Sequence, residues 1–167
     1  MLNNFNANGF LVPAVRGIMG DWIYYLSFLK VKQLSEKVRV NASPEIVSEA
    51  EQISQYLLEA QKPFLSPIIL SVDRGYAKWY ELAIQADVID EIPFEHEGIL
   101  GLLCFENSVE FVVIKGHSQV QGIRFAFKDA GDKLENQEVS VIFIGRFDDE
   151  TQTQDLKELE VALKRFS

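Results

Sequence analysis

The 167-residue chain carries 16 Lys and Arg against 25 Asp and Glu, a formal net charge of −9, and 47% of its residues are hydrophobic. With only 10 Gly and 5 Pro, this composition is typical of a globular protein and excludes fibrous and disordered classes, so we expect one domain over residues 1–167. The single cysteine, Cys104, and the only histidines, His96 and His117, exclude a disulfide framework, a cysteine zinc site and a histidine-rich metal centre. No metal and no cofactor are predicted.

Membrane and secretion signals are missing from the sequence. No apolar run approaches the ~20 residues that a membrane-spanning helix needs. The first eight residues are polar and do not resemble a signal peptide. We therefore expect a cytoplasmic protein that interacts with no membrane.

The charge is distributed unevenly along the chain. Residues 1–40 hold five basic and two acidic residues, a net +3, so the remaining chain carries −12. Such an acidic protein is expected to bind DNA weakly or not at all, because Lys and Arg supply most non-specific affinity for phosphate. Arg16, Lys30 and Lys32 are the predicted residues for any local contact with nucleic acid. In the alternative interpretation, these charges serve only solubility.

The first two apolar runs predict a β-hairpin. Residues 10–15 and 22–29 are rich in aromatic and β-branched side chains, and the glycines of 17–20 frame a turn between them. Pro13 lacks a backbone N–H, which predicts an edge position for the first strand.

A helix is predicted after this hairpin. Ser43 is a typical N-cap and Pro44 fits the first helical position, and the helix extends to Leu58. Apolar residues recur along one helical face: Ile46, Ala50, Ile53 and Leu57. Residues 68–72 then predict a short buried strand.

The middle of the chain contains two further predicted strands. Residues 76–97 mix aromatic and acidic side chains without a clear period, and we interpret them as mostly loop. Residues 99–105 and 109–114 are strand-like, and the short polar segment 106–108 between them is of the type that connects a hairpin.

The last third alternates between helix and strand. A helical stripe ends at Gly131, residues 139–144 predict a strand, and an acidic loop over 148–155 precedes an amphipathic C-terminal helix. The two stripes are Val120, Ile123, Phe127 and Ala130, and Leu156, Leu159, Leu163 and Phe166. The whole pattern predicts a mixed α/β fold of the α+β class.

The segment Lys115-Gly116-His117-Ser118-Gln119 is the strongest candidate binding site. A strand that leads through a glycine into a helix directs backbone N–H groups and the positive end of the helix dipole towards one point. Lys115, His117 and Ser118 could add donors to a bound phosphate or carboxylate. In the alternative interpretation, Ser118 caps its own helix and no ligand binds. No catalytic residue is predicted.

Three segments in order resemble the DGQHR-domain family, whose members include the DndB-type proteins of bacterial DNA phosphorothioation. Residues 12–17 with the tyrosines at 24–25 resemble its first hairpin. Residues 53–59 followed by 65–72 resemble its helix and proline-marked strand, and residues 113–123 correspond to its signature turn. The resemblance implies a ParB/sulfiredoxin-like mixed sheet with flanking helices. The chain ends where longer members continue, so we expect their C-terminal contribution to be absent or supplied by another polypeptide.

The signature itself is degenerate in this chain. Only Gly116 matches the Asp-Gly-Gln-His-Arg pattern, because Lys115, His117, Ser118 and Gln119 replace the other four residues. In the related ParB/sulfiredoxin-like proteins an Arg at such a turn helps to hold a phosphate, and Gln119 lacks that cationic fork.

The resemblance therefore implies an accessory or regulatory protein without catalytic activity, linked to DNA modification or its transcriptional regulation. Its expected partners are other DNA-modification proteins or a second copy of itself. Two alternatives stay open. One is a small nucleotide- or phosphate-binding enzyme that uses the 115–119 turn, and the other is a homo-oligomeric interaction module.

Overall fold

The computed structural model of the protein describes residues 9–75, 77–82, 98–144 and 152–165, with side chains from residue 157 onwards in the last segment. These residues combine strands and helices in an α+β fold, as predicted. The strands are β1 (Gly9–Met19), β2 (Trp22–Lys30), β3 (Val38–Arg39), β4 (Ile68–Arg74), β5 (Ala77–Glu81), β6 (Leu100–Glu106), β7 (Glu110–Lys115) and β8 (Glu138–Ile144). The helices are α1 (Val31–Lys37), α2 (Pro44–Glu59), α3 (His117–Leu134) and α4 (Gln152–Arg165). No helix in these segments is long and apolar enough to cross a membrane.

All eight strands belong to one mixed sheet in the order β3-β7-β4-β8-β2-β1-β6-β5. Only β3–β7 and β4–β8 are parallel, and the other pairs are antiparallel. The sheet order separates β6 from β7 by five strand spacings, about 24 Å in a flat sheet. The connection from Glu106 to Glu110 covers four Cα–Cα steps and spans at most about 14 Å. The sheet must therefore curl until β6 and β7 approach each other.

The predicted hairpin over 99–114 is thus only half right. Both strands form and the connection is short, but β6 pairs with β1 and β5 while β7 pairs with β3 and β4. Several strands of the chain can form backbone hydrogen bonds with β6 or with β7. A short polar connection between two strands does not determine which strand each of them pairs with.

Three phenylalanines fill the concave side of the curled sheet. Phe105, Phe111 and Phe143 are fully buried, with ring centroids 5.0 to 5.2 Å apart in each pair. Phe105 and Phe111 meet edge to face at 89°, a favourable geometry for aromatic rings. Val120 and Ile123 of α3 are buried in the same core, so this helix covers the concave side of the sheet.

Helices α2 and α3 pack together at an unusually close distance. The helix α2 begins as predicted, with the Ser43 hydroxyl accepting a hydrogen bond from the Ile46 amide at 3.3 Å. A side-chain carbon added to Gly122 would lie 2.8 Å from Cβ of Ile53 and 2.9 Å from the Ala50 carbonyl oxygen. Only glycine at this position allows the two backbones to approach so closely.

The N-terminal hairpin forms as predicted, but β1 is an interior strand. It pairs with β2 on one side and β6 on the other, so the edge position inferred from Pro13 is wrong. The β1–β2 ladder extends only from Val15 to Met19, and the Pro13 carbonyl accepts a hydrogen bond from the Ser27 hydroxyl at 2.7 Å. The missing N–H of Pro13 therefore costs no ladder hydrogen bond.

The prediction of a mostly irregular segment over 76–97 is wrong for β5. This five-residue strand buries Ala77 and packs the Trp79 ring on Tyr25, with centroids 5.0 Å apart. A strand this short shows no hydrophobic period in the sequence. Its backbone pairing with β6 is what makes the segment a strand. Residue 76 and residues 83–97 lie outside the described segments.

The later elements agree with the predicted pattern except at their ends. Helix α3 continues past Gly131 to Leu134, with a kink at Ala130 where φ is −140° and ψ is 40°. Helix α4 begins at Gln152, inside the predicted loop over 148–155, of which residues 148–151 are not described. The short α1 was not predicted, because seven residues with two buried positions, Val31 and Leu34, are too few for a helical period.

Candidate functional site

The predicted turn between strand and helix is present and brings residues 115–119 together. Strand β7 ends at Lys115, Gly116 adopts φ 102° and ψ 30°, and α3 begins at His117. A side-chain carbon on Gly116 would lie 2.7 Å from Oε1 of Gln119 and 3.3 Å from the Ile68 side chain. The positive φ favours glycine here, and an added side-chain carbon would also press on the end of the Gln119 side chain and on Ile68.

We expect Gly116→Ala to destabilise the protein by about 2 kcal/mol, because an L-residue is strained at this φ and its methyl group would push against Gln119 and Ile68. Gly20→Ala is the matched control, since Gly20 also has a positive φ (59°) but nothing lies within 4 Å of the added carbon. The control should cost only about 1 kcal/mol. Urea denaturation measures both, and equal losses would contradict the contribution of the close contacts.

The side chains of Ser118 and Gln119 are engaged within the protein. The Ser118 hydroxyl donates to Oε2 of Glu49 on α2 at 2.5 Å. The Gln119 amide donates to both the carbonyl and the hydroxyl oxygen of Ser66 at 3.0 Å. The alternative in which Ser118 caps its own helix is therefore wrong, because the N-cap of α3 is Gly116 without a side-chain cap.

These contacts place a carboxylate of the protein itself close to the start of α3. Negative charge is stabilised at a helix N-terminus by the helix dipole, and Glu49 provides such a charge through its hydrogen bond to Ser118. Lys115 is exposed at the end of β7 and forms no ion pair among the described residues. The turn thus combines one exposed cation with one carboxylate already bonded to its serine.

His117 is half-buried beside the C-terminal helix. Burial lowers the pKa of its imidazole, the Glu160 carboxylate partly opposes this by raising that pKa, and Lys164 lowers it further. Both charged residues belong to α4, whose Leu159 is buried. The C-terminal helix therefore packs close to the 115–119 turn.

We expect His117 to titrate below its ordinary value of 6.5 in an NMR pH titration. Because folding favours the neutral imidazole, its contribution to stability is complete above pH 6.5 and is lost as the pH falls through the lowered folded-state pKa. Lys164→Gln should raise the pKa of His117, and Glu160→Gln should lower it further. The spectrum of His117→Gln assigns the signal. A midpoint at or above 6.5 would show that α4 does not bury this imidazole.

The three basic residues predicted to contact nucleic acid do not form one patch. Lys30 and Lys32 lie at the junction of β2 and α1, where the Lys30 amide donates to Oε1 of Gln33 at 3.0 Å. Arg16 pairs in register with Tyr25, five residues before Lys30 on β2, a separation of roughly 17 Å along the strand. Its guanidinium lies 5.5 Å from the Trp79 ring centroid.

Glu49 and Ser66 are the residues of the turn that sequence reasoning missed. Glu49 is 69 residues before Ser118, and Ser66 is 53 residues before Gln119. An exposed glutamate on a helix and a serine in a loop have no pattern that points to a distant partner. The packing of α2 against α3 brings Glu49 to the turn, and the pairing of β4 with β7 brings Ser66 there.

Metal and thiol chemistry receive no support in the described segments. No group of three His, Cys, Asp or Glu side chains there could hold a metal ion. Burial raises the pKa of the Cys104 thiol, and Lys78 only partly opposes this. A thiol that stays protonated is a poor nucleophile and a poor metal ligand.

Comparisons with known proteins do not assign a function to this chain. Neither a protein-family model, nor a curated protein, nor a solved structure matches the chain.

Proposed function

We propose that this protein is a non-catalytic accessory or regulatory protein of the DGQHR-like, DndB-like kind, linked to DNA modification or its transcriptional regulation. A non-catalytic role is supported by the hydrogen bonds that side chains of the altered signature form within the protein. Ser118 is hydrogen-bonded to Glu49, and Gln119 is hydrogen-bonded to Ser66. The Ser118 hydroxyl proton and the Gln119 amide protons that are already donated within the protein cannot be donated to a phosphate or carboxylate without losing those hydrogen bonds.

A phosphate at the start of α3 would face two specific costs. It would have to approach the Glu49 carboxylate, and like charges repel at short distance. It would also lack the bidentate cation that an arginine supplies, because Gln119 is uncharged. Lys115 alone offers a single flexible charge. This electrostatic balance favours a protein that acts through partners over a phosphate-binding enzyme.

The charge distribution predicts weak direct DNA binding, which is consistent with an accessory role. The protein carries a net charge of −9, and Arg16 is distant from Lys30 and Lys32. Non-specific DNA affinity requires several phosphates to be neutralised at once, which two separated basic spots do poorly. A DNA-modification partner would therefore supply the contact with DNA.

Calorimetry with inorganic phosphate and with ATP separates this proposal from the alternative enzyme. We expect no binding heat at millimolar ligand for the wild-type protein. Glu49→Gln removes the opposing carboxylate and Gln119→Arg introduces a guanidinium group, so this double variant is the matched positive control. Saturable heat from the wild-type protein that disappears in Lys115→Ala would overturn the non-catalytic proposal and favour the nucleotide-binding enzyme.

The partner side of the proposal is tested by affinity purification of the tagged full chain from its host. We expect quantitative mass spectrometry to find DNA-modification enzymes enriched over a purification with the tag alone, or transcripts of their genes to change when the chain is deleted. If neither enrichment nor a transcript change is observed, the link to DNA modification is wrong even when the calorimetric result holds.

A further inference from the structure

An acidic groove of about 480 Å³ lies between α2 and α3. Three of the described side chains that line this α2–α3 groove are carboxylates: Glu51 and Glu59 on α2, and Asp129 on α3. Lys128 is the one basic side chain in the same described lining. None of the three carboxylates forms an ion pair with another described residue. The groove therefore carries negative charge that the described part of the protein does not pair.

The groove also contains a buried hydroxyl group. Ser54 is only 6% exposed, and its side chain lines the groove. Within the part of the chain that the structure describes, this hydroxyl makes no hydrogen bond. A buried polar group without a partner costs free energy, and a bound hydrogen-bond donor would remove that cost. The Ser54 oxygen is thus a ready acceptor for a ligand.

Apolar side chains line the groove together with the carboxylates. Leu58 is 42% exposed, and Phe125 is half-buried. Glu51 and Glu59 are eight residues apart on α2, about 12 Å along the helix axis. No three described His, Cys, Asp or Glu side chains lie close enough together to hold a metal ion. A ligand that meets both glutamates must therefore carry separated positive charges on an apolar chain.

We propose that the α2–α3 groove binds an aliphatic polyamine. A triamine such as spermidine has three ammonium groups joined by methylene segments, and its extended length is comparable to the spacing of Glu51 and Glu59. Its end groups pair with these carboxylates, and one of its N–H groups donates to the Ser54 hydroxyl. Its methylene segments pack on Leu58 and Phe125, and an ammonium group is also attracted to the face of an aromatic ring.

Volume and charge both favour a small polyamine over a segment of a basic protein. The groove has the size of a small-molecule site, about 300–1,000 Å³, whereas a stable protein partner needs a contact surface well beyond one groove. Helix α2 carries four glutamates and no basic residue, so a polycation bound along it relieves repulsion between like charges. Because the ligand would contact both α2 and α3, its binding should stabilise the folded protein.

Calorimetric titration with spermidine tests the proposal at about 0.15 M NaCl, where screening weakens non-specific attraction to an acidic protein. We expect one spermidine per chain. Ser54→Ala should raise its Kd about threefold, and Glu51→Gln/Glu59→Gln at least about tenfold. Lys128→Gln removes the competing cation and should lower the Kd about threefold. Glu36→Gln is the matched control, because it removes one charge from an exposed position on α1 outside the groove lining. It should change the Kd less than about twofold.

A shorter ligand and a heat-stability assay test the arrangement itself. Putrescine is a diamine too short to reach both Glu51 and Glu59, so we expect it to bind at least about threefold more weakly than spermidine. Saturating spermidine should raise the Tm of the wild-type protein and leave that of Glu51→Gln/Glu59→Gln unchanged. Circular dichroism checks that each variant folds.

The proposal is overturned if the wild-type protein gives no saturable heat with millimolar spermidine. Equal weakening by Glu36→Gln and by the groove variants would also overturn it, because binding would then follow net charge alone. Binding of a tetra-arginine peptide that depends on Glu51 and Glu59, without binding of spermidine, would assign the groove to a basic protein segment instead. None of these outcomes bears on the proposed link to DNA modification, which the purification experiment tests separately.

Discussion

Replacing Phe111 by Ala should lower the free energy of unfolding by about 3–5 kcal/mol, a loss that few single substitutions reach. The Phe111 ring is fully buried and contacts the rings of Phe105 and Phe143, both about 5 Å away. These rings belong to β6, β7 and β8, so the cavity would open where the curled sheet meets itself. The surrounding strands are held by backbone ladders and cannot collapse into the space.

Phe64→Ala is the control for this substitution. It deletes the same ring from a side chain that is 79% exposed, and we expect a change within about 0.5 kcal/mol. Urea denaturation at equilibrium gives both values, and the slope of the transition reports whether the unfolding stays cooperative. If Phe111→Ala cost no more than Phe64→Ala, the three rings could not form the centre of the core.

A second large effect is expected for Gly122→Val, which should destabilise the protein by about 1–3 kcal/mol or more. The first added carbon would lie 2.8 Å from Cβ of Ile53 and 2.9 Å from the Ala50 carbonyl oxygen. A backbone oxygen cannot rotate away as a flexible side chain can. Helices α2 and α3 would have to separate along their contact.

Gly131→Ala, in the same helix, is the matched control for this position. An added carbon there would lie 3.5 Å from the Phe127 ring, an ordinary contact. The loss of a helical glycine should stabilise the protein by about 0.4–1 kcal/mol through the unfolded state. Thermal and urea denaturation of both variants measure this contrast. Destabilisation of similar size in both variants would contradict a specific effect of the close approach of the helices at Gly122.

The same helix contact positions the candidate site. Glu49 precedes Ala50 in α2, so the close approach at Gly122 brings the Glu49 carboxylate within hydrogen-bond distance of Ser118. We therefore expect Gly122→Val to weaken this bond as well as the core. In the proposed accessory role, the turn is a structural feature that holds α2, α3 and the 65–67 loop together through Glu49 and Ser66.

The sequence by itself determined the features that depend on a few adjacent residues. Ser43 and Pro44 begin α2 because a hydroxyl cap and a ring with fixed φ are local properties. Gly20 and Gly116 mark turns because their positive φ values, 59° and 102°, are accessible mainly to glycine. The apolar periods of α2 and α3 likewise predicted helices, and together these signals were sufficient for the α+β class.

Only the tertiary structure decided which strands pair and which side chains meet. Pro13 lies inside the sheet because the β1–β2 ladder does not extend to it, and β6 and β7 diverge despite their short connection. The Ser118–Glu49 and Gln119–Ser66 contacts join residues 69 and 53 positions apart. Local propensity describes the conformation of a segment, whereas these contacts depend on how the whole chain closes around its core. The hydrogen-bond partners of the side chains in the candidate turn were therefore decided by the fold and not by the sequence motif.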